Sequence, residues 1–259
     1  MDGNTTLENN VAIITGAGSG IGRACAAALF ARGARLVLVE FNGGTLNSAV
    51  EALTAAGGAE RVHGMQLDVR REDDMAGMAR EVVERFGRID HLIAAAGILR
   101  PGGQLRTVKD MSLEEWRAVI DTNLTGTFLS NRAVLGQMIA QKQGDIINFS
   151  SVSGRQGRAF DSAYCATKFG IIGLSESLAE EVTGFGIRVQ TVLPDAVDTP
   201  LWDQNGPAAM RAPATLPPER VAELVLFLLE LPRDTYLLNP VLGAFKGRRQ
   251  RRKRGMDEK

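Results

Sequence analysis

Tyr164 and Lys168 lie four residues apart, and Ser151 precedes the tyrosine by thirteen. Residues at the first spacing share one face of a helix, so a phenol and an ammonium can meet in one small site. The ammonium's field favours phenolate and is expected to lower the tyrosine's pKa from its ordinary value near ~10. A tyrosine tuned in this way can give a proton to a carbonyl oxygen, or take one from an alcohol, near neutral pH.

A second constellation opens the chain. The turn Thr15-Gly16-Ala17-Gly18-Ser19-Gly20-Ile21-Gly22 follows a short apolar strand run at 11–14 and precedes a helical stretch at 23–33 that ends in a glycine cap. The glycines let backbone turn tightly and approach a pyrophosphate closely. The helix N-terminus offers it free N–H groups and a positive dipole end. With 29 glycines in the chain, such a turn alone is weak evidence; the strand before it and the helix after it give it weight.

The elements that must position these groups alternate. Strand runs at 11–14, 35–39, 61–68, 91–95, 145–150 and 187–193 are separated by helical patterns near 45–57, 72–86, 113–142, 162–184 and 217–230. This predicts an α/β fold, a Rossmann-type doubly wound parallel sheet with helices on both faces. Ligands on such sheets bind at the carboxyl ends of strands. There stand the glycine turn, Glu40, Asp68, Ala96-Gly97, Ser151 and Pro194, so one ligand can touch all of them.

Here the chain resembles the classical short-chain dehydrogenase/reductase family, from about residue 10 to about residue 232. Thr15, Gly16, Gly20 and Gly22 match its glycine turn. Asn123, Ser151, Tyr164 and Lys168 match its catalytic set one by one. The resemblance implies that Ser151 holds the substrate oxygen, Tyr164 transfers the proton, and Lys168 tunes Tyr164 and binds the nicotinamide ribose. Asn123, in a helix interior, would hold a water that links Lys168 to solvent. Ser150 is one residue out of register for the serine role.

The cofactor contacts implied by the resemblance are Gly16, Gly18, Ser19, Gly20, Ile21, Glu40, Asp68, Val69, Ala96, Gly97, Tyr164, Lys168, Pro194, Val197 and Thr199. Glu40, at the end of the second strand, is placed to accept hydrogen bonds from both adenosine ribose hydroxyls and to repel a 2′-phosphate. No arginine follows it; Phe41 does. NAD is therefore expected over NADP, the plain alternative being a solvated strand-end carboxylate. Asp68-Val69 matches the adenine contact, with a helix N-cap as the competing reading of Asp68.

The chain departs from the family at three places. Ala94-Ala95 replaces a pair of asparagines that brace the sheet, Asp195 replaces a glycine in the segment from Pro194 to Thr199, and residues 234–242 stand where relatives close with a strand that helps form a tetramer. Asp195 either selects a polar or cationic substrate or points to solvent. A homodimer through the helices at 113–142 and 162–184 is expected, with a tetramer in doubt. Residues 99–105 and 201–216 should flank the substrate, the second as a lid.

Composition sets the remaining bounds. The chain has 259 residues, 44% hydrophobic, and no run of about 18 apolar residues that would span a membrane. Its start lacks the pattern of a signal peptide. Cys25 and Cys165 make no disulfide or metal framework, and His63 and His91 read as strand-edge residues, so a cytoplasmic protein without a metal is expected. We read 1–245 as one dinucleotide-binding catalytic domain. Residues 246–259 carry eight basic and two acidic side chains and read as a mobile basic tail. The leading reading is an NAD-dependent oxidoreductase acting on an alcohol or carbonyl compound. The alternatives are a catalytically idle NAD-binding regulatory protein, or a binder of nucleic acid or another anionic surface through the tail.

Overall fold

The computed structural model describes residues 7–206 and 214–245. Seven parallel strands form one sheet: β1 Val11–Thr15, β2 Arg35–Glu40, β3 Val62–Gln66, β4 His91–Ala94, β5 Gly144–Phe149, β6 Ile187–Pro194 and β7 Val241–Leu242. Their order across the sheet is β3-β2-β1-β4-β5-β6-β7. The chain leaves β1 toward β2 and β3, then returns to place β4 on the other side of β1. That reversal opens a crevice above β1 and β4, where sheets of this kind bind ligands.

Seven α-helices cover the sheet: α1 Gly20–Ala31, α2 Gly43–Leu53, α3 Glu72–Phe86, α4 Leu113–Ile120, α5 Gly126–Gln141, α6 Ser162–Val182 and α7 Pro218–Glu230. The central strands β1, β2 and β4 are largely apolar because both faces are buried. Successive side chains point to opposite faces. Ala12, Ile14, Leu36 and Leu38 pack with α1, α2 and α7. Val11, Ile13, Val37 and Val39 pack with α3, α5 and α6.

Helix boundaries follow local chemistry. The Asn42 side chain accepts from Gly44 and Thr45 to start α2. Ser112 and Glu115 form a reciprocal capping box on α4. Gly87, with φ of 75°, ends α3 in the left-handed conformation.

Three expectations change. The helical stretch expected at 113–142 is interrupted by a π-helical turn, Asp121–Thr125, which carries Asn123 and joins α4 to α5. Residues 234–242 do close with a strand: β7 pairs in parallel with β6, Leu193 opposite Val241. His91 is not at a sheet edge. It is buried at the start of central strand β4, 2.9 Å from Asn10 and 3.5 Å from Asp145. His63 lies on the edge strand β3 and meets Glu81 at 2.7 Å. Among the described residues no cluster of His, Cys, Asp or Glu could hold a metal ion, and no helix is long and apolar enough to cross a membrane. The basic tail at 246–259 lies outside the described residues.

Candidate active site

The glycine turn is built on backbone-to-backbone contact. A Cβ on Gly16, where φ is +66°, would stand 2.8 Å from the main chain of Ala96, and one on Gly22 would stand 2.2 Å from the Gly16 carbonyl oxygen. The Thr15 hydroxyl accepts from the Ala96 N–H at 3.3 Å. Glycine turn and post-β4 loop therefore form one wall. Ser19 caps α1 without spending its side chain on the helix, and Thr199 packs against Gly20.

Glu40 reaches across the turn. One carboxylate oxygen accepts from Gly18 N at 3.1 Å, the other from Asn42 N at 3.0 Å. A cleft of about 460 Å³ runs from Glu40 over the turn to Ala96, Gly97 and Thr199, with Ser19, Gly20, Ile21, Asp68 and Val69 also along it. Its parts suit a dinucleotide: a crevice at the reversal of strand order, glycines that no larger residue could replace, and a twelve-residue helix aimed at it by its N-terminus.

Pro194 and Val197 stand behind this wall. The Pro194 carbonyl takes the Ser151 hydroxyl at 3.4 Å, and the Val197 carbonyl takes the Trp202 indole N–H at 2.7 Å. Asp195 lies against Gly243 near the end of β7.

Asp68 is not the N-cap of α3; Arg71 holds that position. Asp68 turns instead to Arg70, accepting from its backbone N–H at 3.0 Å and from its guanidinium at 2.6–3.0 Å. The Arg70 hydrogen bond, opposed by burial, holds the Asp68 carboxyl below the usual carboxylate range. Arg70 also lies over the Phe41 ring, 5.6 Å from its centroid. The rim near Glu40 thus has an arginine, which arrives from the β3–α3 loop. An Asx turn at Asp68 was the signal available for it in the sequence.

Of the four residues expected to be catalytic, Ser151, Tyr164 and Lys168 meet at the carboxyl end of β5, and Asn123 lies beside Thr167 of α6. Ser151 follows β5 and caps a short 3₁₀ turn, its hydroxyl accepting from Ser153 N at 3.2 Å and lying near enough to the Tyr164 phenol to favour its ionisation. Ser150 is buried and donates to the Lys168 carbonyl at 2.7 Å, so the serine facing Tyr164 is Ser151. Tyr164 and Lys168 share a face of α6.

The expected lowering of the tyrosine is reversed. Burial pushes the Tyr164 phenol up to about 12; the Ser151 hydroxyl opposes this and the Asp161 charge adds to it. Lys168 is buried and burial brings it down to about 8. Its ammonium donates to the Phe149 carbonyl at 2.7 Å and sits over the Tyr164 ring, 5.3 Å from the centroid, rather than at the hydroxyl. Desolvation, which disfavours both charges, therefore wins over their mutual attraction.

Asn123 is fully buried. Its side chain accepts from Ile98 N at 2.8 Å, donates to Ile98 O at 2.8 Å and donates to Thr167 at 3.3 Å. Its carbonyl takes the Thr127 hydroxyl at 2.6 Å. The side chain is thus a clamp on the loop after β4, and a water held by this residue would have to use the second lone pair of its carbonyl.

On the substrate side the expected segments meet, through residues that sequence reasoning missed. Gln204 accepts from both Leu99 N and Arg100 N, at 2.7 and 3.0 Å. The Arg100 guanidinium donates to Asn205 and to Asp161, one turn ahead of Tyr164. Residues 200–205 form a 3₁₀ turn, and the rest of the expected lid, 207–213, lies outside the described residues. No sequence pattern announces contacts spanning 60 to 105 residues.

The short chain dehydrogenase family model matches residues 10–209. The chain belongs to that family. It is 37% identical to a 3-oxoacyl-[acyl-carrier-protein] reductase of Synechocystis sp., over 90% of this chain and 94% of that protein. It is 38% identical to a cis-4-hydroxycyclohexanecarboxylate dehydrogenase of Sinomonas cyclohexanicum, over 86% and 90%. Among solved structures it is similar to a metagenomic short-chain oxidoreductase in complex with NADP, with a TM-score of 0.78, 32% identity, and coverage of 93% and 99%. The chain is therefore a short-chain oxidoreductase with a nicotinamide-cofactor cleft.

Proposed function

We propose that this oxidoreductase interconverts an alcohol and a carbonyl compound, with Tyr164 as the proton donor and acceptor. The observation that carries the reading is the meeting of Ser151, Tyr164 and Lys168 beside the glycine-turn cleft. The bound nicotinamide supplies or accepts the hydride. Ser151 orients the substrate oxygen, and Tyr164 gives that oxygen a proton in reduction or takes it in oxidation. Lys168 is positioned to hold the nicotinamide ribose once its ammonium leaves the Phe149 carbonyl. The Asn123 clamp keeps the cofactor wall and the catalytic helix in register.

NAD is the cofactor of this reading. Glu40 offers a carboxylate to ribose hydroxyls and sits where a 2′-phosphate would bring about two further negative charges. Arg70, already spent on Asp68, does not neutralise it. The NADP-bound relative shows that the family also accepts the phosphorylated cofactor. Residues 1–245 act as one catalytic unit in this reading, in the cytoplasm. Two copies pair through α5 and α6, whose Phe128 and Phe169 are 41% and 49% exposed. The tail at 246–259 is available to an anionic surface.

A panel of alcohols and ketones followed by reduced-nicotinamide absorbance tests the reading. Wild type should turn over members of it, and Tyr164→Phe should abolish turnover while leaving cofactor affinity nearly intact. Wild-type turnover by that variant would remove Tyr164 from the mechanism. Cofactor binding without any turnover would favour the regulatory alternative.

A further inference from the structure

Arg100 and Asp161 line a small cavity that reaches Tyr164. The cavity reaching it from the side of Leu99, Met111 and Val119 measures about 20 Å³, room for about one water. A ligand larger than water enters this cavity only if its lining moves, and Arg100 is one of its two lining cations. Arg100 joins the loop after β4 to Asn205 of the 3₁₀ turn and to Phe160 and Asp161 ahead of α6.

Three features make the Arg100–Asp161 contact exchangeable. The Arg100 side chain is only 11% exposed, and its Nε is buried without a partner, so a planar cation has a donor to spare. Its partner is uncomfortable: burial raises the Asp161 carboxyl, against the charges of Arg100 and Arg158. The turn that presents Asp161 is strained, because Phe160 has φ of 68°, in the left-handed region that bulky side chains avoid. The other cation on the cavity, Arg106, is held by Glu115 at 2.8 Å.

We propose that Arg100 is the recognition site for a carboxylate on the substrate, which replaces Asp161 on the guanidinium in the cavity that Arg100 shares with Tyr164. The inference rests on the oxidoreductase reading above and narrows its substrates to hydroxy and oxo acids. A carboxylate matches the planar guanidinium with two parallel hydrogen bonds and can use the spare Nε–H. A neutral ketone can break the Arg100–Asp161 pair only at the cost of leaving the Arg100 guanidinium buried without a carboxylate. Asp161, once displaced, turns to Arg158, whose charge already acts on it.

The test uses the full chain loaded with NADH. Acetoacetate, levulinate and benzoylformate are titrated beside their methyl esters, with binding read by nicotinamide fluorescence and turnover by absorbance. At least one acid should bind wild type about 10-fold or more tighter than its ester, a gap that a charge-assisted bidentate contact supports. Arg100→Gln should erase the gap and Arg100→Lys keep part of it. Asp161→Asn should tighten acid binding several-fold, because it removes the competitor; a purely structural pair would instead weaken acid and ester alike. Esters binding as well as acids in wild type, an acid preference that survives Arg100→Gln, or weakening of both series by Asp161→Asn overturns the inference. Tyr164-dependent turnover without acid preference sinks this inference and leaves the oxidoreductase reading standing. Acid-selective binding without Tyr164-dependent turnover does the reverse.

Discussion

Replacing Asn123 with alanine separates two roles that one residue could play. The change deletes three hydrogen bonds, two at 2.8 Å to the Ile98 N–H and C=O and one at 3.3 Å to Thr167. A buried backbone group left without a partner costs about 1–3 kcal/mol. Ile98 is half-buried, so water can reach part of what is freed and the lower half of that range applies to each group. The sum is a loss of about 2–4 kcal/mol from a total stability on the order of 5–15 kcal/mol. Urea unfolding measures it, as a shifted midpoint at constant slope. Cofactor affinity should fall with it, because Ala96 and Gly97 lie in the loop that Asn123 holds. A variant whose stability and cofactor affinity stay within about 0.5 kcal/mol of wild type, but whose turnover is lost, would refute the clamp and favour a proton relay.

Gly22→Ala should prevent cofactor binding or folding, since the new Cβ would meet the Gly16 carbonyl oxygen at 2.2 Å; wild-type nicotinamide affinity in that variant would show the turn to be looser than drawn. NAD should bind at least ~10-fold more tightly than NADP, about 1.4 kcal/mol, and Glu40→Ser with Phe41→Arg should narrow or invert the gap; equal affinities in titrations of wild type would mean Glu40 does not face the ribose. Lys168→Met should abolish activity yet stabilise the cofactor-free protein at neutral pH. The folded-state pKa near 8 lies below the ordinary 10.5, so the buried ammonium costs about 3 kcal/mol there, against about 1 kcal/mol for the lost Phe149 hydrogen bond. Between those two pKa values the unfolded wild type binds more protons, so wild-type stability rises with pH and the advantage of the methionine should fade. Thermal unfolding across that range reads it, and an advantage that grows with pH would reverse the assignment.

The strands and the glycine turn were legible because their signals are local. Apolar runs, glycines and a helix start are written within a few residues of one another, and β1, β2 and β4 to β6 form within a residue of the runs that announce them. Register in the sequence already favoured Ser151 over Ser150, and the bond from Ser150 to the Lys168 carbonyl gives the physical reason. The electrostatic expectation failed for a non-local reason. A four-residue spacing brings Tyr164 and Lys168 to one helical face, but the Phe149 carbonyl on β5 decides where the ammonium rests. Arg100 was invisible because its partners are set by contacts across the chain, whereas Arg70 is placed by the local turn at Asp68.

The departure at Ala94-Ala95 gains a physical account from those same long-range contacts. The loop after β4 forms the cofactor wall at Ala96 and Gly97 and the substrate rim at Leu99 and Arg100. Without its own amide side chains it is braced from outside at four backbone N–H groups: Ala96 by Thr15 of β1, Ile98 by Asn123 of the π-helical turn, and Leu99 and Arg100 by Gln204 of the 3₁₀ turn. The braces come from three separate elements, the glycine turn, the π-helical turn that carries Asn123 and the 3₁₀ turn at 200–205. Strain at any one of them is therefore transmitted to a loop that faces both ligands. The wide turn at Asp121–Thr125 fits this role, because the Asn123 side chain must reach both backbone polar groups of one residue, Ile98, and the extra residue in that turn sets the side chain to do so.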